Sequence, residues 1–130
     1  MNIIIETERL LLHEFNLTDA TEMYLLNSDP EVIKFTGDIS FKNIEEAEQL
    51  IKNYDQYLKY KMGRYSVLLK NTNEYLGCCG LKYLEDTKEI DLGYRFHKKY
   101  WGNGYATEAS TACLKYGFEI LKLKSWPLSI

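Results

Sequence analysis

Between Arg64 and Phe96 the chain sets three strand-like runs in succession, "RYSVLLK", "YLGCCGLKYL" and "EIDLGYRF", joined by the short polar turns "NTNE" and "EDTK". A parallel neighbour needs a crossover of about a dozen residues or more, so connections this short commit the runs to an antiparallel meander. Any fold of this chain is therefore built on a central antiparallel sheet, and the remaining segments must cover it. At 130 residues the chain is long enough to bury one core, and residues 1–130 read as one domain.

The cover is helical. From Asn43 the apolar positions Ile44, Ala47, Leu50/Ile51, Tyr54 and Leu58 recur at three-to-four spacing, which predicts one amphipathic helix ending near Met62-Gly63. Upstream, "ETERLLLHEF" reads as a single first strand through Phe15, and "NLTDATEMYLLN" as a short helix capped by Thr18 or Asp19. "SDPEVIKFTGDISF" carries Asp29-Pro30 and Gly37-Asp38 and reads as a loop with at most one helical turn. A last helix runs from about Gly104 to Lys122, with Ala109, Cys113, Tyr116 and Ile120 as its apolar face. Gly117 within it costs about 1 kcal/mol relative to alanine, which points to a close helix–sheet approach. The predicted order is β-α-α-β-β-β-α, an α+β (mixed α/β) fold with a mainly antiparallel sheet.

Composition removes several functions. A net charge of −3 argues against nucleic acid as the main ligand, because neutralising phosphates needs a basic surface. No apolar run reaches the ~18 residues of a membrane span, and the N-terminus lacks a secretory apolar region. The expectation is a cytoplasmic protein without membrane or nucleic-acid partners. The charge is uneven, however: "IEEAEQ" is acidic, whereas Lys98 and Lys99 lie beside glycines. That asymmetry suits a small anionic ligand with a cationic second substrate, or simply two solvated faces. Cys78, Cys79 and Cys113 show no metal-ligand spacing, so no metal is expected. Adjacent Cys78 and Cys79 should point to opposite faces of their strand, as free thiols.

The stretch "YWGNGYATEA", Tyr100 to Ala109, runs from two closely spaced glycines into the last helix. The first N–H groups of a helix lack internal partners and its dipole leaves that end partly positive, so phosphate is a natural guest there. With Asn103 as the N-cap, the free donors are those of Gly104 to Thr107. Glycine at 102 and 104 lets the guest approach the backbone. A P-loop would need a lysine followed by serine or threonine, and a dinucleotide fingerprint would need glycine at 107, where the chain has threonine.

The stretch resembles the pyrophosphate loop of the GNAT N-acetyltransferases, written Q/R-x-x-G-x-G/A. Gly104 and Ala106 match its last fixed positions, while Trp101 stands where glutamine or arginine is commonest. The RimJ/RimL-like branch, the ribosomal-protein-alanine acetyltransferase-like enzymes, often writes this loop as "YWGNGYATEA" has it. The resemblance extends upstream through "IETERLLLHEF", "TDATEMYLLNSDPEVIKFTG", "YLGCCGL" and "EIDLGYRF", covering roughly residues 3 to 124. It implies acetyl-CoA as co-substrate and transfer of the acetyl group to a protein N-terminal amine or a small-molecule amine.

By the same resemblance the pantetheine arm falls to Tyr94 to His97, mainly through the backbone of Phe96. The pyrophosphate falls to the amides of Trp101, Gly102, Asn103, Gly104, Tyr105, Ala106 and Thr107. Asp91 stands where relatives often carry glutamate and is the candidate base or amine-orienting group, with Glu89 as the alternative on the same strand face. A surface-carboxylate role for either stays open. The family pattern also calls for further C-terminal strands, a helix and a general-acid tyrosine, where this sequence has only "SWPLSI" after Lys124. Pro127 would confine a strand there to an edge or a start. Two expectations follow: self-association that covers the open side, or a weakened site. A non-catalytic CoA-binding remnant and a plain α+β interaction domain remain as alternatives.

Overall fold

A computed structural model of the chain describes residues 2–34, 40–121 and 128–129. Its strands are β1 (Ile3–Glu6), β2 (Leu10–His13), β3 (Arg64–Leu69), β4 (Tyr75–Leu84), β5 (Glu89–Phe96) and β6 (Leu128–Ser129). Its helices are α1 (Ala20–Ser28), α2 (Pro30–Ile33), α3 (Ile44–Lys52), α4 (Gln56–Tyr60) and α5 (Tyr105–Glu119). The six strands form one sheet in chain order, antiparallel from β1 to β5, with β6 parallel to β5. The meander is as its turns require. Asn73 and Lys88 take left-handed φ of 61° and 58° in the two turns, and each N–H closes onto a carbonyl four residues back, at Leu69 and Leu84.

Two elements differ from the sequence reading. The single first strand is a hairpin, because the Thr7 hydroxyl accepts from Leu10 N–H at 2.9 Å while Thr7 N–H donates to Leu10 C=O at 2.9 Å. A threonine makes this turn without glycine or proline, so the pattern carries no break. The long helix from Asn43 is two helices, α3 and α4. Tyr54 and Tyr57 turn to β3 at the break, where the Tyr54 hydroxyl accepts from Arg64 N–H at 2.8 Å and the Tyr57 hydroxyl donates to Arg64 C=O. A third difference concerns a cap. Asn16 caps the short 3-10 turn before α1, its side chain accepting from Thr18 N–H, and Asp19 reciprocates on Asn16 N–H.

The sheet separates two apolar layers. On one face Leu10, Leu12, Leu76, Leu81, Leu92 and Phe96 pack with Ala109 and Cys113 of α5. On the other, Ala20, Met23 and Ala47 form a smaller cluster with Phe15, Tyr24 and Ile51. Cys79 is buried with its Sγ 3.9 Å from Cys113 Sγ, while half-buried Cys78 faces the α1–α4 layer. Gly117 is buried in α5, in line with a close approach.

Candidate active site

Alternation along β5 divides its residues between the two layers. Ile90, Leu92 and Phe96 belong to the core against α5, and Asp91, Gly93, Arg95 and His97 face the α1–α4 side. The backbone alternates in the same way. His97 N–H donates to Leu76 C=O of β4 at 3.0 Å, so the polar groups of Phe96 and Tyr94 point to the opposite, outer edge. There, among the described residues, the register with β6 covers only Ile90 and Asp91. Beyond it the Trp101 indole donates to Phe96 C=O at 2.9 Å, and among the described residues Phe96 N–H and both backbone groups of Tyr94 are left at the edge of a cleft. His97 departs from its expected cofactor role: its amide serves β4 and its Nε2 lies 3.1 Å from Glu22 Oε2.

At one end of that edge stands the glycine turn. Gly102 and Gly104 hold φ of 83° and 78°, a backbone shape that other residues resist. Among the described residues, its own chain neighbours aside, no atom lies within 4 Å of the position a Cβ on Gly102 would take. The first intrahelical bond runs from Glu108 N–H to Gly104 C=O at 3.0 Å, so the N–H groups of Tyr105, Ala106 and Thr107 have no acceptor inside α5. Two expectations change here. The cap is Gly104 rather than Asn103, whose side-chain amide donates to Tyr100 C=O at 2.9 Å. The Trp101 amide is also unavailable, since it donates to Lys98 C=O at 3.1 Å. Lys98 and Lys99 are exposed, with Lys99 Nζ 5.1 Å from the Tyr100 ring centroid.

Arg9 is the residue the sequence reading did not find. Its Nε donates to Glu108 Oε1 at 2.7 Å and its Nη1 to Asn103 C=O at 3.0 Å. Its guanidinium carbon sits 4.5 Å from the Tyr105 ring centroid. Glu108 therefore turns back toward the β1–β2 hairpin. Burial works against its charge, but hydrogen bonds from Thr7 and Arg9 outweigh that and hold the carboxyl below its ordinary range. Nothing local marks Arg9, because the hairpin and the helix start are brought together only by the fold.

The other end of the cleft is polar. Arg64 Nη2 reaches Asp91 Oδ2 at 2.5 Å, and Arg64 Nη1 donates to the carbonyls of Gly80 and Asp91 at 2.7 and 2.8 Å. Gly93 makes room for this guanidinium: a Cβ there would fall 2.6 Å from Arg64 Nη2. Asp91 Oδ1 makes no hydrogen bond among the described residues. Glu89 sits half-buried at the start of β5, opposite Leu84, and does not line the cleft. The cleft measures about 840 Å³ and runs from Trp101 and Ala106, past Phe96 and Tyr94, to Asp91 and Arg64. It can seat an elongated ligand whose anionic end meets helix amides and whose far end meets a carboxylate.

Comparison with known proteins identifies the family of the fold. Residues 9–128 match the model of the "Acetyltransferase (GNAT) domain" family. The chain is 34% identical over 119 residues to the uncharacterized N-acetyltransferase p20 of Bacillus licheniformis, covering 90% of this chain and 67% of that protein. A crystal structure of a GNAT-family acetyltransferase from Bacillus anthracis superposes with a TM-score of 0.75 at 28% identity, over 95% of this chain and 69% of that one. The ribosomal-protein alpha-N-acetyltransferase RimL, solved with coenzyme A, shares the fold with a TM-score of 0.76 at 14% identity, over 98% of this chain and 73% of that one. With the match spanning nearly its whole length, the chain belongs to the GNAT family as an N-acetyltransferase.

Proposed function

We propose that the chain transfers the acetyl group of acetyl-CoA to an amine, either a protein N-terminus or a small molecule, and that the cleft beside β5 is where it does so. The observation that carries this reading is one cleft that reaches from Trp101 and Ala106, which flank the glycine turn, past Phe96 and Tyr94 of β5 to Asp91. The residues fit the cofactor's parts. Gly102 to Thr107 would hold the pyrophosphate, and Phe96 N–H with the carbonyl of Tyr94 would hold the pantetheine amides. Bound there, acetyl-CoA supplies an activated acetyl thioester.

The chain's own groups do the rest. Tyr94 N–H on the open edge is placed to donate to the thioester oxygen as negative charge develops on it. Asp91, anchored by Arg64 through Oδ2, presents Oδ1 to the incoming amine. A carboxylate held this way orients a cationic amine and passes its proton toward solvent water, a role suited to a rigid group. Glu89, at the strand start, is the weaker candidate on placement alone.

The experiment has two stages. Calorimetry with acetyl-CoA tests the cofactor site, and absence of heat at millimolar ligand would end this reading. Thiol release with a panel of peptide N-termini and small amines then identifies the acceptor. Asp91→Asn should lower kcat by about 100-fold, within the range of positioned acid–base groups, with KM for acetyl-CoA unchanged. Glu89→Gln should leave both within about twofold.

A further inference from the structure

We propose that Arg9 sets the cofactor affinity of this chain through Glu108, by cancelling a carboxylate that otherwise opposes the anion at the start of α5. The inference rests on the cofactor site proposed above and names a positioning residue within it. Glu108 lies in the first turn of α5, where free amides and the positive end of the dipole gather. A carboxylate there stabilises the helix, and by the same field it competes with a phosphate arriving at the same end.

The structure resolves the conflict with a clamp from the β1–β2 hairpin. Glu108 Oε2 accepts from the Thr7 hydroxyl at 2.5 Å and from Arg9 N–H at 3.0 Å, and Oε1 accepts from Arg9 Nε at 2.7 Å. Both oxygens are thus drawn toward the hairpin and matched by a guanidinium that cannot lose its proton. The same side chain holds the glycine turn, since Arg9 Nη1 donates to the carbonyl of Asn103, the residue between Gly102 and Gly104. Its remaining nitrogen, Nη2, lies 3.5 Å from where a Cβ on Gly104 would be, so the positive charge itself borders the cradle.

This assignment separates charge from bracing. If Arg9 acts by neutralising Glu108, its loss is repaired by removing the acid as well. If Arg9 is only a brace for the loop, removing Glu108 repairs nothing. Calorimetric titration of coenzyme A into the wild type, Arg9→Ala, Glu108→Gln and the double variant distinguishes the two. Arg9→Ala should weaken binding about three- to tenfold, the scale of one charge at a helix end. The double variant should recover most of that loss, and the difference should shrink as salt rises. In turnover, KM for acetyl-CoA should follow the same order with kcat at saturation unchanged. Arg9→Gln, which keeps a donor and removes the charge, repeats the test should Arg9→Ala fold poorly. A double variant as weak as Arg9→Ala, or an Arg9→Ala that binds like wild type, overturns the proposal. A wild type that binds no coenzyme A removes the cofactor site instead, which is a separate failure.

Discussion

Gly104 carries more of the proposed site than any other residue, because it is at once the cap of α5 and a corner of the turn, at φ 78°. Valine there must enter a left-handed conformation that costs about 1–2 kcal/mol. It also sets branched carbons where an anion would approach. Gly104→Val should therefore weaken coenzyme A binding about tenfold or more, as the loss of one charge-assisted hydrogen bond implies. Its melting temperature should fall only by the backbone strain, and unaltered affinity would remove the cradle argument. Glu108 supplies a pH prediction. Its folded carboxyl lies below the ordinary 4.5, so the stability it adds is complete above that pH and fades as acid titrates the folded group. The stability gap between wild type and Glu108→Gln should be flat above pH 4.5 and narrow below it, as read by urea melts across pH. Cys78 behaves in the opposite sense. Burial pushes its thiol up to about 12, and only the thiolate reacts, so iodoacetamide at pH 8 should spare it until the protein unfolds.

At the scale of elements, the places where pattern and structure part company share one cause. The three runs of the meander, the helix after the glycine turn and the helical turn at Pro30 all announce themselves through period, turn residues or caps. The break between α3 and α4 does not, since the apolar spacing continues through Tyr54 and Leu58. What ends α3 is tertiary. Phe15, Tyr54 and Tyr57 form edge and tilted ring contacts with centroids 4.9 to 6.2 Å apart, and the tyrosine hydroxyls serve the backbone of β2's exit and of β3. Tyr57→Phe leaves Phe15 N–H and Arg64 C=O without this partner, at a cost of about 1–3 kcal/mol in urea denaturation. A loss near zero would mean that the break is held by something other than these hydroxyls. The first hairpin escaped for a similar reason, its turn being made by one threonine hydroxyl.

For the molecule as a whole, the proposed cofactor would lie between Trp101, Ala106 and β5 and reach the α1–α4 layer at Asp91 and Arg64, which line the same cleft. A ligand that binds only the folded state stabilises it by mass action, by about 2.7 kcal/mol at a hundredfold excess over Kd. Coenzyme A at that excess should raise the melting temperature measurably, and Gly104→Val at the same concentration should lose most of the increment. A wild-type melting curve that ignores the ligand would contradict the site. The sequence alone determined the meander, the helix after the glycines and the glycine turn itself, because each depends on residues near in the chain: side-chain period, turn chemistry and glycine φ. Only the tertiary structure decided that Arg64 holds Asp91 and that Thr7 and Arg9 draw Glu108 toward the β1–β2 hairpin. Those are meetings of groups whose separation along the chain leaves no local trace, and packing of the sheet between its two layers is what brings them within hydrogen-bond reach.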